Sequence, residues 1–134
     1  MPTSSLPFPS FALALALGLA VAALPATRAG AADVANGKVL YQQNCVSCHG
    51  ESGKGDGPTG QALAATGTPP RDFTKADFKF DADQDGQAGT DADLTAVIKN
   101  GAGPYGGSPL MAPWSHLGDA GIADLVAYIR SLHP

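Results

Sequence analysis

Apolar residues recur at helical spacing in three stretches of the chain, and no stretch shows the apolar–polar alternation of a strand. The first stretch is residues 33–45, with small and apolar residues on one face. The second is residues 90–99, which ends before Asn100-Gly101, a usual helix stop. The third runs from residue 119 to about residue 132. The predicted N-caps are Asp33, then Thr90 or Asp91, and finally Asp119.

The segments between these helices have the composition of loops. Residues 50–70 are rich in Gly, Pro, Thr and Ser, although a short helix is expected near Pro58–Ala65 with Pro58 in its first turn. Residues 71–80 contain three phenylalanines, residues 81–89 form an acidic turn, and residues 101–113 form a second loop. The pattern predicts one small all-α, loop-rich domain with helices at both ends.

The amino-terminal segment has the pattern of an export signal. Residues 11–24 are fourteen uncharged residues, which suit a signal-peptide core better than a membrane span. Ala29-Gly30-Ala31 offers a small-x-small cleavage site. We therefore predict a signal peptide over residues 1–31, a domain over residues 32–134, and a periplasmic or otherwise exported protein. No Lys or Arg precedes the apolar core, so an uncleaved anchor stays open as the alternative.

The charge of the predicted domain excludes some partners. Of 8 Lys and Arg and 12 Asp and Glu, only Arg28 precedes residue 32, so the domain carries a net charge of −5. Nucleic acids and anionic membrane surfaces need a basic face. We expect neither as a partner, and no stable membrane insertion after signal cleavage.

The most specific motif is Cys45-Val46-Ser47-Cys48-His49. A C-x-x-C-H run is the attachment site of a c-type haem. Each thiol can form a thioether with one haem vinyl group, and the following histidine can supply an imidazole to the iron. These are the only 2 cysteines of the chain. Attachment of this kind generally takes place outside the cytoplasm, which agrees with an export signal.

Two other interpretations of the motif are weaker. A structural zinc site needs a second pair of ligands, and His116 and His133 stand 17 residues apart, too far for a zinc finger. A thioredoxin-like dithiol follows a strand in a βαβ pattern. Here the flanking sequence is helical and Gly-rich.

With these residues the predicted domain resembles the class I cytochromes c, over nearly all of its length. The resemblance implies a small cytochrome c-like fold in which the terminal helices cross and loops wrap one covalent haem. The crossing pattern matches Gly37 and Tyr41 on the first helix, and Leu125 and Tyr128 on the last.

The resemblance also implies a methionine as the sixth iron ligand, from a loop before the last helix. Met111 is the only methionine besides Met1, and Pro109 and Pro113 stiffen its loop. His116 is the alternative ligand.

In the family the haem-binding histidine donates its other N–H to a proline carbonyl. Pro69 is the nearest match and Pro70 the alternative. We expect four aromatic residues to cover the haem: Phe73, Phe78, Tyr105 and Trp114.

The acidic turn reproduces the first positions of a calcium loop, D-x-D-x-D-G, from Asp81 to Gly86. Ala92 stands where the twelfth-position glutamate is expected, although Asp91 and Asp93 flank it. A solvated acidic turn explains the same residues. We therefore expect calcium to bind weakly or not at all.

The resemblance implies a one-electron carrier, not an enzyme. The expected partners are a membrane respiratory complex or a periplasmic oxidoreductase. Two alternatives stay open. One is a haem-bearing subunit of a periplasmic dehydrogenase or reductase complex, and the other is an open-site haem enzyme or gas sensor.

Overall fold

The computed structural model describes Met1 and residues 30–133. The predicted signal peptide lies almost wholly outside these residues, so the boundary at residue 32 stays a prediction. Within these residues, five α-helices span Val34–Asn44 (α1), Val46–His49 (α2), Pro58–Ala65 (α3), Asp91–Asn100 (α4) and Gly118–Ser131 (α5). Three 3-10 helices lie at Phe73–Lys75, Gly103–Tyr105 and Ser115–Leu117. The described residues contain no strand, which confirms the all-α prediction.

No helix of the described part of the chain combines the length and the apolar character that a membrane crossing requires.

The helix starts follow local side-chain chemistry. The Asp33 carboxylate accepts the backbone N–H groups of Ala35 and Asn36, as predicted for an N-cap. Thr90, one of the two predicted caps, begins α4 with a capping box. Its hydroxyl accepts the N–H of Asp93, and the Asp93 carboxylate accepts the N–H of Thr90.

The predicted Asp119 cap is wrong. The 3-10 helix Ser115–Leu117 runs directly into α5, so Asp119 lies inside the first turn and Leu117 holds the cap position. The Asp119 carboxylate instead lies 2.7 Å from the Lys99 ammonium at the end of α4. The Asp119 side chain therefore forms an ion pair between two helices and does not cap α5.

α1 packs across α5, and α4 packs beside α5. The buried core draws on all three helices and on the first residue of the 3-10 helix Phe73–Lys75: Tyr41, Phe73, Leu94, Ile98, Ile122, Leu125, Val126, Tyr128 and Ile129. The Tyr41 ring lies 5.1 Å from the Tyr128 ring, and its hydroxyl donates to the Gly50 carbonyl at 2.8 Å. The crossing of the terminal helices is therefore tied to the chain just after His49.

The crossing depends on Gly37. A Cβ at this position would lie 2.0 Å from the Asp124 carbonyl oxygen and 2.9 Å from the Tyr128 Cβ. Two hydrogen bonds also hold α1 against α5 at this point. The Asp124 carboxylate accepts the Asp33 N–H at 2.7 Å and the Asn36 amide at 2.7 Å. The predicted close approach at Gly37 and Tyr128 is confirmed.

We expect Gly37→Ala to destabilise the protein by about 1–3 kcal/mol, as overpacking does. Helix propensity alone would give the opposite sign, a gain of about 1 kcal/mol. Urea unfolding followed by circular dichroism measures the difference. Gly121→Ala on α5 is the matched control, because its Cβ would meet the movable end of the Leu40 side chain at 3.3 Å and the Leu117 Cβ at 3.6 Å, an ordinary van der Waals distance. An unchanged or raised midpoint for Gly37→Ala would contradict the close approach.

Candidate haem-binding site

The C-x-x-C-H motif forms a single helical turn that follows α1. The Cys45 carbonyl accepts the His49 N–H at 2.9 Å, and the Val46 carbonyl accepts the Gly50 N–H at 2.9 Å. Residues three and four apart on a helix share one face. Cys45, Cys48 and His49 accordingly all line one cavity of about 880 Å³.

Both cysteines are free thiols and half-buried. Burial, and then the neighbouring Cys48, raises the pKa of Cys45 to about 11. Cys45 is therefore a neutral thiol at neutral pH. A zinc site needs thiolates and further ligands. His116 and His133 are exposed and do not line the cavity, which argues against the zinc interpretation.

The His49 imidazole is held on two sides. Its ring stacks on Phe73, with centroids 4.4 Å apart and planes at 17°. Its Nδ1 lies 3.3 Å from the Arg71 carbonyl oxygen. Because a carbonyl only accepts, Nδ1 carries the proton and Nε2 keeps its lone pair. Burial lowers the pKa of His49, although the bond to Arg71 acts in the opposite direction. The ring is therefore a neutral, oriented imidazole of the kind that ligates metals.

The acceptor of this bond corrects a prediction. The sequence predicts the carbonyl of Pro69, or of Pro70, and the structure has Arg71. The Pro70 carbonyl is turned toward Gly55, where a Cβ would lie 2.6 Å from it. Both prolines line the cavity, so a place for Pro69 beside the haem stays a prediction.

Met111 lines the same cavity and packs against the core. Its carbonyl accepts the Ala102 N–H at 3.2 Å, and its own N–H donates to Ser108 at 3.1 Å. The alternative ligand, His116, is exposed, packs on Trp114 and does not line the cavity. The geometry therefore favours the Met111 sulfur over the His116 ring.

Of the four aromatic residues expected around the haem, Phe73, Phe78 and Trp114 line the cavity. Tyr105 does not, and its hydroxyl accepts the Asn100 amide at 2.8 Å. The sequence pattern also missed part of the apolar wall, which consists of aliphatic residues of α4 and α5: Leu94, Val97, Ile98, Leu125 and Ile129. Their helical spacing marked them as buried, but spacing alone does not distinguish a packed core from a cavity wall.

The cavity opens among charged and apolar side chains. Three ion pairs among its lining residues are partly or largely exposed: Arg71–Asp77, Lys79–Asp77 and Lys75–Asp72. Leu110 lines the cavity too, and 66% of its surface is exposed. Because two of these pairs share Asp77, the three pairs contain three cations and two carboxylates, so this part of the mouth has a small positive charge although the chain as a whole is acidic.

The acidic loop is a separate feature. Three carboxylates lie within 4.8 Å of one another: Asp81, Asp83 and Asp85. The carboxylates that flank the missing twelfth ligand have other partners, since Asp93 accepts N–H groups of Ala82 and Thr90, and Asp91 pairs with Arg130. Weak calcium binding stays a prediction.

The residues of the cavity fit a c-type haem. They supply two thiols on one helical turn, a neutral imidazole beside them, a thioether and an apolar wall. A volume of about 880 Å³ lies within the roughly 300–1,000 Å³ of small-molecule sites.

Comparison with known proteins agrees with this fit. A sequence model of the family "Cytochrome c" matches residues 34–133. The chain is 32% identical over 117 residues to the Cbb3-type cytochrome c oxidase subunit CcoP of Azospirillum sp. (strain B510), covering 84% of this chain and 33% of that protein. It is 31% identical over 103 residues to the same subunit of Azospirillum brasilense, covering 76% and 29%.

A solved structure is similar as well. A chain of the Kuenenia stuttgartiensis reducing HAO-like protein complex superposes with a TM-score of 0.59 at 32% identity, over 73% of this chain and 41% of that one. The present chain spans about a third of the length of the curated relatives it matches. The match over residues 34–133, together with the motif and its cavity, shows that the chain belongs to the cytochrome c family, whose members carry covalently bound haem c.

Proposed function

We propose that this chain is an exported one-electron carrier whose haem iron is held between His49 and Met111. The observation that carries the proposal is that both residues and both motif cysteines line the same cavity. When bound, the haem supplies an iron couple that gains or loses one electron. The chain supplies attachment, orientation and an apolar surrounding.

Each of the two ligands has a separate effect. The Arg71 carbonyl fixes the His49 tautomer, and such a bond raises the basicity of a ligating ring. A Met/His ligand pair raises the reduction potential of a haem. If His49 and Met111 both held the iron, no iron site would be left for a substrate. The ligand set therefore favours a carrier over an enzyme or an open-site sensor.

The apolar residues of the cavity would limit the contact of a bound haem with water. Phe73 is buried against the His49 ring, and the apolar residues of α4 and α5 form a further wall. A dry, rigid site changes little when the charge on the iron changes, so electron transfer needs little rearrangement of the protein. Partners would dock at the cavity mouth, where Leu110 provides exposed apolar surface.

The relatives favour a second setting for the same chemistry. They are an oxidase subunit and part of an HAO-like complex, and each is much longer than the matched region. The domain would then transfer electrons as a haem-bearing part of a larger redox assembly. The cavity suits both settings, and native purification, followed by identification of co-eluting proteins, separates them.

We expect covalent haem. The protein, expressed with a working haem-maturation system, should give a haem-stained band after denaturing electrophoresis, because thioethers survive denaturation. Replacing Cys45 and Cys48 together with Ala should abolish the band, since no other cysteine exists. A colourless wild-type band would refute the attachment.

We expect Met111→Ala to open the iron to exogenous ligands and to lower the reduction potential, because the thioether is lost. The reduced wild-type protein should keep its visible spectrum under carbon monoxide, and the variant should bind the gas readily. His116→Ala is the control and should behave like wild type, because His116 does not line the cavity. Rapid stoichiometric binding by wild type, or an effect of His116→Ala alone, would contradict the ligand assignment.

We expect the exported protein to begin near Ala32, because a short apolar core precedes a small-x-small site. Intact-mass measurement of protein recovered from the periplasm of a bacterial host tests this. A mass that retains residues 1–31 would indicate an uncleaved anchor.

A further inference from the structure

Arg130, near the end of α5, makes three contacts with its guanidinium group. Its Nε donates to the Asp91 carboxylate at 2.8 Å, and its Nη2 donates to the Gly89 carbonyl at 2.5 Å. Its Cζ also lies 4.9 Å from the centroid of the Phe78 ring, within the range of a cation–π contact. One side chain thus joins α5 to the start of α4 and to an aromatic ring.

The Phe78 ring is connected through Phe73 to the ring of His49, the proposed iron ligand. It stacks on Phe73 with centroids 6.0 Å apart and planes at 27°. Phe73 in turn stacks on His49 at 4.4 Å and 17°. Three roughly parallel rings therefore connect the Arg130 guanidinium to the imidazole, and all three rings line the haem cavity.

Gly89 holds Phe78 from another side. A Cβ on Gly89 would lie 2.7 Å from both the Phe78 Cβ and the Phe78 carbonyl oxygen, at a backbone φ of +78°. The Gly89 N–H also donates to the Phe80 carbonyl at 2.9 Å. Arg130 binds the Gly89 carbonyl and covers the Phe78 ring. It therefore holds both residues of the close approach between Gly89 and Phe78.

A second ion pair provides a natural comparison. The Lys99 ammonium, near the end of α4, lies 2.7 Å from the carboxylate of Asp119, near the start of α5. Neither residue lines the cavity. Both pairs are partly exposed, and exposed ion pairs contribute little to the stability of a fold. The two pairs are alike as surface ties between the helices, but only Arg130 contacts a cavity wall.

We propose that Arg130 is a positioning residue for the iron ligand: it holds Phe78 against Phe73 and thereby fixes the plane of the His49 ring. This inference rests on the proposed function, in which His49 ligates the iron. A planar guanidinium suits the role because it can donate in its plane to Asp91 and Gly89 while its face covers a ring. A lysine ammonium keeps the charge but not this combination.

The test compares Arg130→Met with Lys99→Met as ferric holoproteins. Proton NMR of the haem methyl groups is the main readout, because their paramagnetic shifts depend on the orientation of the axial imidazole. We expect Arg130→Met to change the spread and order of these shifts and Lys99→Met to leave them as in wild type. Arg130→Met should lower the unfolding midpoint more than Lys99→Met does, because Arg130 also binds the Gly89 carbonyl and covers the Phe78 ring. Equal shift patterns in the two variants, whether both altered or both native, would overturn the proposal.

Three further variants separate the positioning effect of Arg130 from a loss of stability or a loss of positive charge. Arg130→Lys retains the charge and should restore the wild-type pattern only in part, so complete restoration would point to charge alone. In a Phe78→Leu background, Arg130→Met should add no further change, because the connecting ring is gone. Gly89→Ala keeps the Arg130 side chain but would bring a Cβ to 2.7 Å from the Phe78 Cβ, and should alter the pattern as well. A native pattern in Gly89→Ala would contradict the proposed path.

The ligand assignment has its own test. His49→Ala should lose the low-spin ferric spectrum. If that spectrum persisted, the proposed ligation would fail whatever the Arg130 variants did. If it were lost while Arg130→Met left the methyl shifts unchanged, only the positioning role would fail.

Discussion

The close approach of α1 to α5 is the constraint on which the rest of the structure depends. It exists because Gly37 has no side chain, so the backbone of α1 can rest on the Asp124 carbonyl. One turn later Tyr41 is fully buried against Tyr128 and reaches the Gly50 carbonyl. The helix that ends in the haem motif is thereby fixed in position by residues that never touch the cavity.

The cavity and the hydrophobic core share their walls. Leu94, Ile98, Leu125 and Ile129 belong to the buried core and also line the cavity. A domain of about a hundred residues buries only a modest core by itself. A covalently attached apolar group in this position would complete that core as well as supply redox chemistry. Such a group would stabilise the folded state through the apolar surface that it buries against these walls.

Local chemistry made much of the fold predictable. Asp33 and Thr90 cap their helices because a carboxylate or hydroxyl one residue ahead of a helix satisfies its free N–H groups. Pro58 begins α3 because it has no N–H to leave unpaired. The C-x-x-C-H motif and the position of Met111 in a loop before the last helix could also be recognised from the sequence. These signals act within a few residues, so a single sequence contains them.

The errors concern contacts made across the fold. Asp119 has the composition of a cap, but Lys99 from another helix binds its carboxylate. The carbonyl that faces His49 belongs to Arg71 instead of a proline, because the Phe73 N–H bonds the Gly53 carbonyl and the Pro70 carbonyl packs on Gly55. The direction of a carbonyl in a loop depends on such partners, which no local pattern specifies.

The two sides of the iron site are built differently, and this difference bears on function. His49 is held by a helical turn, a hydrogen bond and a ring stack that extends to Arg130. Met111 lies in a loop that is anchored to the end of α4, where Trp114 donates to the Ile98 carbonyl and Ala102 donates to Met111 itself. The histidine side thus depends on packed rings, and the methionine side on a few backbone hydrogen bonds. If Met111 ligates the iron as proposed, loosening that loop would free the sixth position while leaving the histidine in place, and the loop would be the part of this fold that separates an electron carrier from an open-site haem protein.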